Sequence, residues 1–372
     1  DRLLKVLPSS DLNYLTTTYK NAFQSKDLLD SLMKEFSLDQ EQAAEFGKYL
    51  QKRKIFDHVT SDHIFGQNID KKLFWRLRPY QKPNVLNSFR IWEDRVDPDS
   101  MAVVSRLNKI MQGIQKRATN RNGDFDLASA SNDGEYVKFQ EGVCELQGID
   151  MSVMDVNTRT AFIINVYNLM IKYAQVKYGV PRNNLERVPF FTKIKINIGG
   201  EKFSFNDLEN GILRANAAAP YALKRNFAAG DKRTRLSLQQ VDNRIHFALN
   251  CGAKSCPPVK KFTSTDLEEE LRIVALAFCE QDDNVKLDPI LNEIYLNTIF
   301  NWYRQDFAKS NGDLPKVILG FLRGERKEML ENMINKKSVK VKFNTYDWSS
   351  SVANSKTFDA SALKRDTFIL LK

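Results

Sequence analysis

A polar stretch bracketed by two prolines, Arg78-Pro-Tyr-Gln-Lys-Pro-Asn84, divides this chain. Proline donates nothing to a backbone ladder and blocks a helix interior, so neither helix nor strand runs through the stretch. The residues on either side must bury separate cores. With 372 residues the chain has length for two domains, at roughly 150 residues each. Its 42% apolar and 27% charged content excludes the disordered and fibrous classes. The longest apolar run, Ala161 to Ile171, is cut by Asn165 and Asn168 and falls short of the roughly 18 residues a membrane span needs. The start at Asp1 rather than Met reads as a fragment, and a missing upstream region could have carried a targeting signal or another domain.

Cys144, Cys251, Cys256 and Cys279 are too few for the disulfide framework of a small secreted protein, so free thiols in a reducing cytoplasm are expected. The net charge of +10 favours acidic partners. It is spread along the chain, without the Lys/Arg blocks and interleaved aromatics that track a nucleic-acid backbone, which disfavours nucleic acid.

Upstream of the prolines, the spacing predicts helices over Asp11–Asn21, Ser25–Phe36 (Ser25 as N-cap) and Asp39–Lys52. Strands are expected over Ile55–Thr60 and Leu73–Leu77, around a polar loop. Three helices closed by a hairpin make a winged helix. Asp39, Glu41 and Glu45 in the third helix would repel phosphates, against a DNA-reading role. The runs Asn21–Leu32, Ala43–Leu50, Ile55–Val59 and Phe74–Leu77 resemble a DEP domain over about residues 3 to 80, with Ser31 where that family usually has tryptophan. The resemblance implies a non-catalytic adaptor that binds a signalling protein or an anionic membrane surface, with Lys71, Lys72, Arg76 and Arg78 as the contacting residues and peripheral membrane association as the consequence.

Downstream, Ser100–Lys116 and Tyr136–Leu146 read as amphipathic helices, and Asn157–Lys177 is the strongest helical signal. Asn165 and Asn168 within it need partners, in either a structural network or a pocket wall with Tyr167 between them. Phe190–Ile198 and Glu201–Phe205 form a hairpin about Gly199-Gly200, and Asn206–Arg214 a helix carrying Glu209. Arg235–Gln239 and Ile245–Asn250 read as extended, Thr263–Cys279 and Asn297–Phe307 as helices, and Val339–Phe343 leads into Tyr346-Asp-Trp348. The tail from Ser349 to Ser361 is small and polar, and poor order is expected there.

Five ordered segments (Arg159–Asn168, Asp207–Arg214, His246–Pro258, Ile299–Tyr303 and Tyr346–Ser349) resemble the domain of unknown function numbered 547, over about residues 85 to 350. Ile163 stands where that family commonly has tryptophan. The family name carries no reaction, so the chemistry rests on His246, Cys251 and Cys256. An imidazole could activate a thiolate, with backbone amides of the Cys-Gly-Ala turn as an oxyanion hole and Asn165, Asn168, Asp242 or Glu209 orienting the ring. The three could ligate zinc, if Cys144 or Cys279 completes the set. The thiols could exchange with a disulfide, or all three could be core residues. On a strand, Cys251 would point away from His246 and lie more than ~15 Å along at ~3.3 Å per residue, so a dyad needs irregular backbone, which Gly252 can supply.

The expectation is an α+β protein: a DEP-like winged helix over 1–82, a larger helix-rich α+β domain with an antiparallel sheet and thiol-protease-like character over 83–350, and a tail over 351–372. The adaptor recruits a cysteine hydrolase of peptide or isopeptide-like amides, with His246, Cys251 and Cys256 catalytic and Asn165, Tyr167, Asn168, Glu209 and Arg244 binding a polypeptide substrate. No cofactor or metal is expected. The competing expectation is a non-enzymatic scaffold whose His/Cys segment is structural or redox-active. A scan of the thiols with an electrophile separates the two.

Overall fold

The computed structural model describes residues 2–66, 72–220, 222–364 and 366–368. Apolar side chains gather in two large clusters. One unites Leu3, Phe23, Leu28, Leu32, Phe56, Phe65 and Trp75, and the other runs from Leu86 to Leu363.

The first cluster is enclosed by α1 (Arg2–Val6), β1 (Ser10–Tyr14), β2 (Thr17–Gln24), α2 (Ser25–Phe36), α3 (Gln40–Lys52), β3 (Phe56–His58), β4 (Phe74–Leu77) and α4 (Arg78–Gln81). The helix expected over Asp11–Asn21 is instead the β1–β2 hairpin, in which Leu12 faces Tyr19 and Tyr14 faces Thr17. The apolar spacing there reflects cross-strand pairing, and the β-branched run Thr16-Thr17-Thr18 prefers a pleated strand. Ser25 does not cap α2: its hydroxyl accepts from Trp75 Nε1 at 2.8 Å, fastening the helix to β4. Asp39 caps α3 by accepting from Gln42 N at 2.8 Å. β4 lies between β2 and β3, and all four of its residues are buried.

That placement corrects one expectation about the basic surface. Arg76 is 0% exposed and donates from Nε to Lys20 O, so it presents no charge to a membrane. Lys72 is exposed and Arg78 half-buried, while Lys71 falls outside the described residues.

The larger part is a helix-rich α+β assembly around the second cluster. It begins with α5 (Ser100–Ala118), β5 (Phe125–Asp126), α6 (Leu127–Ser131) and α7 (Tyr136–Gly142). Asp99 caps α5, accepting from Met101 N and Ala102 N. Its axis is α8 (Val156–Tyr178), capped by Asp155 and buried on nearly every side, as a helix that is apolar all round must be. Then follow α9 (Asn184–Lys193) and the hairpin β6 (Lys195–Ile198) with β7 (Glu201–Ser204) about Gly199-Gly200. The rest comprises α10 (Leu267–Cys279), β8 (Val285–Asp288), β9 (Glu293–Leu296), α11 (Ile299–Trp302), α12 (Arg304–Phe307), α13 (Leu314–Ile318), α14 (Gly324–Lys336) and β10 (Lys340–Phe343). β8 and β9 are antiparallel, and β10 adds to β9 in parallel.

The tail is packed, contrary to the expectation of poor order. β11 (Val352–Ala353) pairs with β5, Phe358 is 2% exposed, and β12 (Asp366–Phe368) pairs through its backbone with β2. Among the described residues no helix is long and apolar enough to cross a membrane.

Candidate functional site

One cleft of about 500 Å³ collects side chains from α8, α9, α11 and the loops between β7 and α10, together with Tyr346 and Trp348 after β10. Two irregular turns shape it. Asp207–Leu213 is a π-helical turn, in which Arg214 N reaches back five residues to Glu209 O at 2.8 Å. Such widened turns swing side chains out of ordinary helical register and recur at functional sites. Asn243–Phe247 is a 3₁₀ turn capped by Asp242, which accepts from Arg244 N at 3.0 Å. The strand expected over Ile245–Asn250 is therefore absent.

On this turn His246 is 4% exposed. Its Nε2 meets Asp306 Oδ2 at 2.8 Å, and its ring stacks on Tyr303 with centroids 4.0 Å apart. A carboxylate partner fixes Nε2 as a donor and leaves Nδ1 as the nitrogen that can give or take a proton. Asp306 also forms a two-point pair with Arg214, Nη2 lying 2.8 Å from Oδ1. Burial works against charge on Asp306, yet hydrogen bonds from His246 and Arg214 hold its carboxyl down to about 2. Glu209 accepts from the Tyr303 hydroxyl at 2.5 Å and from the Tyr167 hydroxyl at 3.3 Å.

The turn from Cys251 to Cys256 brings its two free thiols to 2.8 Å. Asn250 closes it, its amide accepting from Gly252 N at 2.8 Å and donating to Pro257 O at 2.7 Å. Cys256 Sγ receives Cys251 N–H at 3.2 Å and lies 3.2 Å from the Tyr346 hydroxyl. Burial raises the Cys256 pKa, but the hydrogen bonds from Cys251 and Tyr346 outweigh it and bring the thiol down to about 7. Cys251 is pushed up by its bond to Cys256 and by burial. The pair is thus polarised, with Cys256 the more acidic thiol.

Of the residues expected at the site, Tyr167, Glu209, His246, Cys251 and Cys256 line this cleft. Others stand elsewhere. Asn165 exchanges both bonds with the Phe262 backbone, at 2.7 and 3.0 Å. Asn168 clasps Ala248 O and Asn250 N, each at 2.9 Å, fixing the loop between His246 and the thiols. Arg244 faces Asp242 and Glu268, away from the cleft lining. No hydrogen bond joins the imidazole to either sulfur, so the activated dyad in its direct form does not exist here. Two amides of the Cys-Gly-Ala turn are also committed, Cys251 N to Cys256 Sγ and Gly252 N to Asn250 Oδ1. The zinc set does not converge, since Cys144 meets Gln140 O and Cys279 lies in the α10 core. Arg214, expected either to pair with Glu209 or to face a cleft, pairs with Asp306, while Asp306, Tyr303, Tyr346 and Arg187 carried no expectation of a cleft role. Asp306 follows Tyr303 by three residues, a same-face spacing that was the available signal.

Residues 151–279 match the model of a family described as Protein of unknown function, DUF547. The chain carries a DUF547 domain. The DUF547 segment supplies Tyr167, Glu209, Arg214, His246 and both cleft cysteines, whereas Tyr303, Asp306, Tyr346 and Trp348 lie beyond its matched end. No curated protein matches the chain.

Proposed function

We propose that the cleft is the active site of a thiol-dependent hydrolase of peptide or isopeptide-like amides, with Cys256 as nucleophile. The observation that carries this reading is the ring of donors on one sulfur: Cys251 N–H, the Cys251 thiol and the Tyr346 hydroxyl. Donors directed at the charged form stabilise a thiolate near neutral pH without an imidazole in contact.

The thiolate attacks the carbonyl carbon of an amide seated in the cleft, and an S–C bond forms. The C–N bond then breaks, and the protonated His246 ring gives its Nδ1 proton to the departing amine. Water, losing a proton to Nδ1, cleaves the thioester, releasing a carboxylic acid and restoring the thiolate. Asp306 orients the ring. The N-terminal part is read as a DEP-like adaptor that carries the hydrolase to a signalling protein or an anionic membrane, through Lys72 and Arg78 and without Arg76.

Alkylation with iodoacetamide, mapped by mass spectrometry across pH, tests the nucleophile. One fast thiol, Cys256, should react with a midpoint near about 7. A peptide library should leave an acyl adduct that Cys256→Ser abolishes and His246→Ala retains longer. Equal, slow labelling of all four cysteines would overturn the reading. The 2.8 Å sulfur contact favours a second one, a redox dithiol. It predicts a Cys251–Cys256 disulfide formed with diamide, which accepts the two electrons and two protons, and no acyl adduct.

A further inference from the structure

One cation in the cleft has no part in the chemistry above. Arg187, on α9, lines the same cavity as both sulfurs. Its guanidinium stacks on Trp348 at 4.1 Å from the ring centroid. It donates to Asn184 Oδ1 at 2.9 Å and Arg182 O at 3.2 Å, both neutral, and among the described residues no carboxylate pairs with it. The other ionic groups of the site are matched: Asp306 with Arg214 and His246, and Glu209 with two tyrosine hydroxyls.

The stack that holds Arg187 leads to the nucleophile. Trp348 packs on Tyr346 at 4.7 Å and on Trp302 at 5.4 Å, and the Tyr346 hydroxyl touches Cys256 Sγ. A stacked guanidinium is pre-organised, always charged, and presents donors in a fork that matches a carboxylate. Two of its five N–H groups serve neutral oxygens, which leaves N–H groups for a ligand. Such an unmatched cation beside a reactive sulfur has the chemistry of a recognition element.

Resting on the thiol reading, we propose that Arg187 is a specificity-determining residue that binds a carboxylate of the substrate, so that Cys256 acts on amides bearing a free carboxylate close to the bond attacked.

Two reagents with one leaving group test this. Iodoacetate and iodoacetamide both alkylate sulfur by forming an S–C bond with loss of iodide, and differ only in carrying a carboxylate or an amide. At Cys256 the ratio of iodoacetate to iodoacetamide rates should exceed that of the same thiol in urea-unfolded protein by about tenfold. Arg187→Gln should return the ratio to the unfolded value, Arg187→Lys should keep part of the preference, and salt should reduce it. An unfolded-like ratio in the native protein, or a ratio unmoved by Arg187→Gln, overturns the proposal. A binding arm is independent of the nucleophile. In Cys256→Ser, N-acetylglycine should change tryptophan fluorescence saturably where N-acetylglycinamide does not, and Arg187→Gln should abolish the difference. A slow Cys256 with intact selective binding sinks the hydrolase alone; equal binding of both compounds sinks the role of Arg187.

Discussion

Arg214 is 4% exposed and carries a full charge whose compensation comes from Asp306. Removing one partner of such a buried pair leaves the other charge uncompensated and costs about 3–5 kcal/mol. Asp306→Asn should therefore destabilise the protein by about that amount near neutral pH. The carboxyl sits at about 2 in the folded protein, below its ordinary value of 3.8, so its contribution is in force above pH ~4 and is lost as pH falls through about 2. Urea unfolding of wild type and Asp306→Asn should show the gap narrowing across that window. A gap independent of pH would mean the carboxylate is not what holds Arg214 and His246.

At the scale of elements, the cleft depends on short irregular turns more than on long helices. Gly252 adopts φ +91, and a Cβ there would meet Gln175 Nε2 at 2.2 Å. Gly252→Ala should lower stability by about 1–2 kcal/mol through left-handed strain alone, and should displace the turn so that the Cys256 labelling midpoint rises toward that of an ordinary thiol. Differential scanning calorimetry and the alkylation pH profile read the two effects; a midpoint unmoved by the substitution would show that the turn does not set the thiol's acidity. The sequence pattern revealed α8, α10 and the β6–β7 hairpin because each has a long apolar period or a Gly-Gly turn. It misread residues 11–21 and 245–250. In the first, side chains that pair across strands mimic helical spacing. In the second, the Asp242 cap outweighs the apolar run.

Across the whole molecule, the tail ties parts that are distant in sequence. Phe358 packs edge-on against Phe190 of α9 at 5.2 Å, three residues from Arg187. Val180 exchanges backbone bonds with Lys356 and Phe358 beside Gly179, where any side chain would strike Lys356 O. Phe358→Ala should cost about 3–5 kcal/mol, measurable by chemical unfolding, and a loss under 1 kcal/mol would show the tail to be a passive cover. Because β12 lies on β2, the same tail also reaches the N-terminal unit.

Apolar periodicity and residue type were enough to indicate an α+β chain, the apolar helices, and a short segment holding an imidazole and two thiols, since these follow from local pattern. The partner of each reactive group was decided only by the fold. His246 pairs with Asp306 sixty residues away, and Cys256 leans on Tyr346 ninety residues away. Such contacts arise where separate elements pack against α8 and its neighbours, and no periodicity along the chain encodes which distant side chain will arrive there.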